Sequence, residues 1–321
     1  MPGVTKSLVR QIGAAPDGGL SALRHATTWL NSPRLTPEGL RGKVVLVDFW
    51  TYTCINWLRQ LPYVRAWAEK YRDQGLVVIG VHTPEFSFES DLGNVRRAIT
   101  TMRVDYPIAV DNEYAIWQGF DNHYWPALYF IDAEGVIRHQ QFGEGGYEEA
   151  ERTIQRLLAK AGSHGLADDL VSVDGQGIEA PADWDNLRSQ ENYLGADRTE
   201  GFVRSKALRL NQWTVVGNWT LAGHAAVLRE PNGRIVSRFH ARDVHLVMGP
   251  VARGTSVRCR VSIDGQAPGV AHGTDVDEHG NGTVAEQRLY QLIRQPLPIV
   301  DRQFEIEFLD TGVEAFAFTF G

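Results

Sequence analysis

The hydrophobic pattern of this 321-residue chain changes period once, and that change limits what it can fold into. Residues 44–50 (VVLVDFW) are apolar except for Asp48, as a strand covered on both faces requires. Leu58, Leu61, Val64 and Ala68 then recur at three- and four-residue spacing, which predicts a helix from Ile55 to Arg72, stopped by Gly75. Residues 76–81 (LVVIGV) read as a second buried strand, Asp91 to Thr101 as a helix, and Pro107 to Val110 as a short strand. One or two helical turns fit 113–119. Leu128–Ile131 and Val136–Gln140 read as paired strands joined by the turn Asp132-Ala133-Glu134-Gly135. Residues 147–160 form an amphipathic helix, acidic at its start and basic at its end. This alternation predicts a three-layer α/β domain.

Residues 161–185 are rich in Gly, Ala, Pro and Asp and read as a linker laid over the surface, with Leu166, Leu170, Val173 and Ile178 free to dock. Beyond them the period is two. Val257, Cys259, Val261 and Ile263 interleave with polar residues, as do Phe304, Ile306 and Phe308, and Phe316, Phe318 and Phe320 close the chain. Residues 224–229 and 234–241 flank Pro231-Asn232-Gly233, a hairpin signal. Half-buried strands with Gly-rich turns predict an all-β sandwich or jelly roll. The expected division is an α/β domain over 1–163, a linker over 164–185 and a β-sandwich over 186–321.

Charge and cysteine content exclude several classes. Lys and Arg number 32 against 39 Asp and Glu, with no basic block, so nucleic acid and anionic lipid are not expected partners. No apolar run approaches the roughly 20 residues of a membrane span. The first 19 residues contain no apolar core of a signal peptide, which favours the cytoplasm, although a trimmed chain of extracytoplasmic origin would look the same. Two cysteines, Cys54 and Cys259, exclude a disulfide scaffold and a cysteine zinc finger. His82, His123, His139 and His240 lack metal-ligand spacing. The loop HGTDVDEHGNG could offer Asp275, Asp277 and Glu278 to calcium but has no EF-hand pattern, and a solvated acidic loop is preferred. No metal or organic cofactor is called for.

The chemistry points to Cys54. It stands where a buried strand turns into a helix, and the free N–H groups and dipole of a helix start favour a thiolate. Such cysteines have pKa values lowered from about 8.5 to roughly 3.5–7.5. Asp48 on the preceding strand can place a buried carboxyl near the thiol as proton acceptor. Pro62 interrupts the helix interior, and Pro126, in HYWPALYFID, stands immediately before a strand, where a cis bond is expected. Cys259, on a strand of apolar alternation, reads as a packing cysteine.

In DFWTYTCINWLRQLPYVRAW, GVHTPEF, WPALYFID and the closing AFAFTFG the chain resembles thioredoxin-fold proteins of the TlpA-like redoxin group. More specifically it is similar to the soluble C-terminal part of DipZ-type proteins, a thioredoxin-like domain followed by a carbohydrate-binding-module-like β-sandwich. The resemblance covers roughly residues 20–321. It implies that Cys54 is the nucleophile, Asp48 the buried acid, Pro62 the helix kink and Pro126 the cis proline that shapes a groove for a partner peptide.

One position departs from the family. The C-x-x-C of a thioredoxin is here Cys54-Ile55-Asn56-Trp57, so the thiol that would attack a mixed disulfide is replaced by tryptophan. The leading expectation is a monothiol oxidoreductase: Cys54 attacks a protein or low-molecular-weight disulfide, and a thiol from solution resolves the adduct. Trp57, Trp125, Thr51 and Tyr52 are the residues expected to meet substrate. An alternative is a redox-impaired scaffold whose sandwich binds a carbohydrate or protein, with Trp184, Trp213, Trp219 and Tyr290 as candidate stacking platforms. A third is a single-cysteine peroxidase, since Thr51-Tyr52-Thr53-Cys54 has the T-x-x-C spacing of peroxiredoxins.

Overall fold

The computed structural model describes residues 8–10, 19–205 and 207–321. Most of the N-terminal stretch on which the signal-peptide reading rests, residues 1–7 and 11–18, lies outside them. The chain divides into two units, Met1–Gly175 and Gln176–Gly321. No helix among the described residues is long and apolar enough to cross a membrane.

The first unit contains β1 (Leu8–Arg10), β2 (Thr28–Leu30), β3 (Val44–Trp50), α1 (Ile55–Tyr71), β4 (Leu76–His82), α2 (Leu92–Thr101) and β5 (Ile108–Val110), then α3 (Ala115–Gly119), β6 (Ala127–Ile131), β7 (Ile137–Phe142) and α4 (Tyr147–Lys160). Among the described residues the strands form one sheet in the order β1-β7-β6-β3-β4-β5-β2. β3, β4 and β5 are parallel, as their helical crossovers require, whereas β6 and β7 run antiparallel. This is a thioredoxin-like α/β domain.

Every residue of β3 is buried, so its two faces serve two layers. Val45, Val47 and Phe49 pack with Ile116 and Phe120 of the α3 region and with Leu20 and Leu23. The alternate residues, Asp48 and Trp50, face the α1 side, where Asp48 meets Trp57 and Gln60 and Trp50 stacks on Trp57 at 4.3 Å. Gly80 on β4 makes room for this layer, because a Cβ there would come within 2.8 Å of Trp50 Nε1 and 2.6 Å of Ile108 Cδ1.

α1 and α4 are joined through Glu151, which is 1% exposed. Its carboxylate accepts from Tyr71 Oη at 2.6 Å, Trp67 Nε1 at 3.1 Å, Lys70 Nζ at 3.1 Å and the backbone N–H of Val171. The stretch after α4 therefore folds back onto the first unit, where Gln155 Nε2 also donates to the carbonyls of Ala167 and Asp169. Residues 177–181 serve the second unit instead: Gly177 and Pro181 carbonyls accept from Arg294 and Arg242. Leu166, Leu170, Val173 and Ile178 are all half-buried.

The second unit is all-β. Its strands are β8 (Asn192–Tyr193), β9 (Trp213–Val216), β10 (Trp219–Leu221), β11 (Ala226–Leu228), β12 (Gly233–Phe239), β13 (Asp243–Pro250), β14 (Val257–Ile263), β15 (Asn281–Val284), β16 (Arg288–Arg294), β17 (Arg302–Phe308) and β18 (Val313–Phe320). They form two antiparallel sheets, β10-β11-β18-β13-β16 with β8 beside β18, and β15-β14-β17-β12-β9. Side chains of both sheets, such as Leu246 and Phe318 from one and Ile235, Val261 and Phe304 from the other, share one core. β14 and β17 alternate inward and outward as their sequences require.

Two expectations are corrected. Pro231-Asn232-Gly233 does not close a hairpin: β11 pairs with β10 and β18, whereas β12 pairs with β17 and β9, in the other sheet. The turn, with Asn232 at φ +62° and its N–H on Phe308 O, carries the chain from one sheet to the other, where β12 finds seven partners along β17. The closing aromatic run also fails to alternate simply. A register shift pairs Val247 with Ala317 but Met248 with Ala315, leaving Phe316 as the extra residue.

Removing the Glu151 carboxylate would strand the buried donors of Trp67 and Tyr71 and the partly buried ones of Lys70 and Val171. In urea unfolding of the full chain, Glu151→Ala is expected to shift the transition of the first unit by about 3 kcal/mol and leave that of the second in place.

Candidate functional site

Cys54 is the N-cap of α1 and is half-buried, with extended backbone (φ −76°, ψ 112°). Its N–H reaches Thr51 O at 3.3 Å, closing a tight turn, and its carbonyl accepts Leu58 N–H at 3.0 Å to start the helix. No acidic residue occupies the first turn of α1, so nothing there opposes a negative charge on the sulfur.

Asp48, on β3 six residues before Cys54, is fully buried. Oδ2 accepts Trp57 Nε1 at 3.0 Å and Oδ1 accepts Gln60 Nε2 at 3.1 Å. Burial nevertheless pushes the carboxyl up to about 7, outweighing the opposing effect of the neutral Trp57, Tyr106 and Gln60 side chains. Gln60 Oε1 has no partner among the described residues, so the amide can turn over and accept a proton-bearing Oδ1. The pair is therefore built to take either protonation state.

Trp57 fills the +3 position inwards. It is fully buried, stacked on Trp50 and bonded to Asp48, and offers no face to solvent. The sequence predicts its unsatisfied N–H without revealing the acceptor. Tyr52 is 2% exposed and stacks on His82 at 5.8 Å; Thr51 is fully buried. Trp125 is half-buried, lies 4.2 Å from the Trp117 ring and donates Nε1 to Thr83 O at 3.1 Å. The Trp125–Pro126 bond is cis, and Pro126 directly precedes Ala127, the partner of Phe49 in the ladder. The register thus brings Pro126 to the end of the sheet from which the Cys54 turn leaves. Pro62 is buried within α1.

Sequence reasoning gave no role in the site to two buried groups. His82 closes β4 opposite Trp50, and burial pulls its pKa down to about 3, so the ring is neutral. Glu89 is buried and accepts Thr53 Oγ1 at 2.6 Å. Its one sequence signal is a carboxylate set among aromatic residues in FSFES.

In the second unit Cys259 is 2% exposed, and burial pushes its thiol up to about 12. Neither cysteine is in a disulfide. Trp213 and Tyr290 are core residues, Trp184 is exposed, and Trp219 lines an open depression of about 480 Å³ with Phe202, Leu221 and Arg204. Asp275 is taken by Arg288 and by the N–H of Gln291, and Asp277 by its own turn. No group of three metal-capable side chains gathers among the described residues.

A thiol at a helix start, a buried carboxyl bonded to the same helix and a cis proline at the same sheet end go with a thioredoxin-like domain. Comparison with known sequences agrees: residues 30–140 match the AhpC/TSA family and residues 183–321 the family described as Thioredoxin like C-terminal domain. The chain is 35% identical over 133 residues to the thiol-disulfide oxidoreductase YkuV of Bacillus subtilis, covering 88% of that protein and 41% of this one. It belongs to the thioredoxin-like family of thiol–disulfide oxidoreductases. Protein DipZ of Mycobacterium tuberculosis is 40% identical over 261 residues, 77% of this chain and 36% of DipZ. The chain thus spans about a third of the length of that relative. A solution structure of an oxidized thioredoxin-like protein aligns at 34% identity over 42% of this chain and 90% of that one, with a TM-score of 0.39.

Two measurements test the site. At pH 8, iodoacetamide should label native protein once, at Cys54, and label Cys259 only in denaturant; labelling of native Cys259 would contradict the burial described. The raised pKa of Asp48 also has a sign. The folded chain holds its proton up to about 7, the unfolded chain releases it near 3.8, so stability falls as pH rises through that window. Asp48→Asn, which does not titrate, should match the parent near pH 4 and exceed it at pH 8 by about 4 kcal/mol in urea unfolding.

Proposed function

We propose that the chain exchanges thiols and disulfides through Cys54 alone. The observation that carries this reading is the inward-facing Trp57: where a second thiol would stand, a fully buried indole binds Asp48, and Cys259 is buried in the other unit. Cys54 is the one cysteine side chain with access to solvent.

The reaction runs in two balanced steps. The Cys54 thiolate attacks one sulfur of a disulfide, a Cys54–S–S–R bond forms, and the other sulfur leaves as a thiolate that takes a proton. A thiol from solution, deprotonated, then attacks the R sulfur and returns Cys54 as thiolate. Asp48 manages protons, with Gln60 adjusting to its state. Pro126 and the half-buried Trp125 supply the backbone edge against which an extended partner lies. Thr51 and Tyr52 shape the turn rather than offer surface. YkuV is named a thiol-disulfide oxidoreductase, and that activity is carried here in monothiol form; the substrates are proteins or small molecules bearing disulfides.

A second reading, ligand binding by the β-sandwich with Cys54 weakly reactive, draws on the exposed Trp184 and the depression beside Trp219. The pH dependence of Cys54 alkylation separates the two, since a slow thiol titrating near 8.5 supports the scaffold.

The direct test is lifetime of the adduct. Cys54 charged with a disulfide reagent should hold its mixed disulfide until a free thiol is added, and Cys54→Ser should form none. Trp57→Cys should shorten that lifetime at least ~10-fold by adding the missing attacking group. It should also cost about 3–5 kcal/mol, because a buried indole is removed. A Trp57→Cys protein that folds and shows no shorter lifetime would favour the scaffold reading.

A further inference from the structure

The segment between β4 and α2, residues Thr83 to Asp91, makes contacts on two sides. On one side stands the turn that carries Cys54. Glu89, fully buried, accepts Thr53 Oγ1 at 2.6 Å through Oε1, and its Oε2 accepts the N–H groups of Glu85 at 2.6 Å and Phe86 at 2.9 Å. Thr51 and Tyr52 are near enough to matter electrostatically: Thr51 bears on the ionisation of Glu89, and Glu89 on that of Tyr52. Thr53, the residue before Cys54, is thus tied directly to one carboxyl group.

On the other side stands the strand edge that begins with the cis proline. Thr83 O accepts Trp125 Nε1 at 3.1 Å, and Thr83 N–H donates to Trp50 O at 3.1 Å. Pro84 O accepts Tyr114 Oη, and Ser90 O accepts Asn112 Nδ2 at 2.8 Å. The segment is therefore a brace with the Cys54 turn at one end and Trp125 at the other. Glu89 is what bonds it to the Cys54 turn. A buried carboxylate is tolerated only where donors surround it, and these donors come from two stretches of chain 36 residues apart.

We propose that Glu89 is a positioning residue of the thiol site, holding Cys54 at a fixed spacing from the Trp125–Pro126 edge. The proposal rests on the thiol-exchange reading. A small disulfide or alkylating reagent needs only the sulfur. A peptide needs the sulfur and the strand edge together, so its reaction alone feels a loss of spacing.

The experiment uses the full chain with Glu89→Ala, Glu89→Gln and Thr53→Val. Two rates are read: reduction of a disulfide-bridged peptide with glutathione as resolving thiol, resolved into kcat and KM, and alkylation of Cys54 by iodoacetamide. Glu89→Ala should lower kcat/KM for the peptide at least ~10-fold, mainly through KM, with alkylation within about twofold of the parent. Glu89→Gln should stay within about threefold, because its carbonyl still accepts from Glu85 and Phe86 and its amide can donate to Thr53. Thr53→Val, which removes only the hydroxyl, should fall between them and carries the test if Glu89→Ala does not fold.

The proposal is overturned if the alanine and valine variants reduce the peptide as the parent does. It is equally overturned if glutamine is as damaging as alanine, which would make charge the relevant property, or if alkylation falls in step with peptide reduction. Failure of the underlying reading looks different: parent and Cys54→Ser would then act on the peptide alike.

Discussion

The first unit depends on a carboxyl group placed inside a central strand. β3 is buried along its whole length, and a carboxyl group at Asp48, the fifth of its seven residues, would be costly without donors. The donors come from α1, three and six residues beyond Cys54. Asp48 thereby fixes which side of α1 faces the sheet, and with it the place where the helix begins. Cys54 then falls at the helix start, half-exposed, while Trp57 is drawn inwards. Nucleophile placement and carboxyl satisfaction are one packing problem solved once.

Much of this was legible because it is local. The apolar run with one acid, the helical spacing from Leu58 to Ala68 and the Pro126 ahead of LYFI each rest on neighbouring residues, and the strands and helices of the first unit follow them closely. What stayed hidden is the pairing between distant stretches. Nothing near Glu89 shows that its acceptor oxygen belongs to Thr53, and nothing near Trp57 shows that its N–H belongs to Asp48. The same limit explains the Pro231-Asn232-Gly233 turn. Its residues encode a reversal correctly, but the strand that each flank joins is chosen by β17 and β18, some 70 or more residues later.

The two cysteines show how burial sorts identical side chains. Cys259 sits on an inward position of β14, opposite Phe308, in a core that leaves its thiol protonated. Cys54 interrupts no core; it ends a strand-to-helix turn where N–H groups are unspent by the helix. The aromatic residues of the second unit sort likewise. Trp213 and Tyr290 serve the sandwich interior, Tyr290 with its hydroxyl on Glu286 O at 2.8 Å, so a count of aromatics says little about a binding face.

Tryptophan at position 57 alters two things that a thiol there would keep coupled. It removes the group that attacks an adduct on Cys54, and it gives Asp48 a fixed donor. A carboxyl with a fixed indole N–H on one oxygen and a reversible amide on the other responds to protonation through Gln60 alone. Proton affinity at Asp48 is then set first by burial and next by the donors around it, Trp57 and Gln60 of α1 among them. In the exchange proposed for Cys54, release of an adduct would then depend on a thiol that arrives from outside.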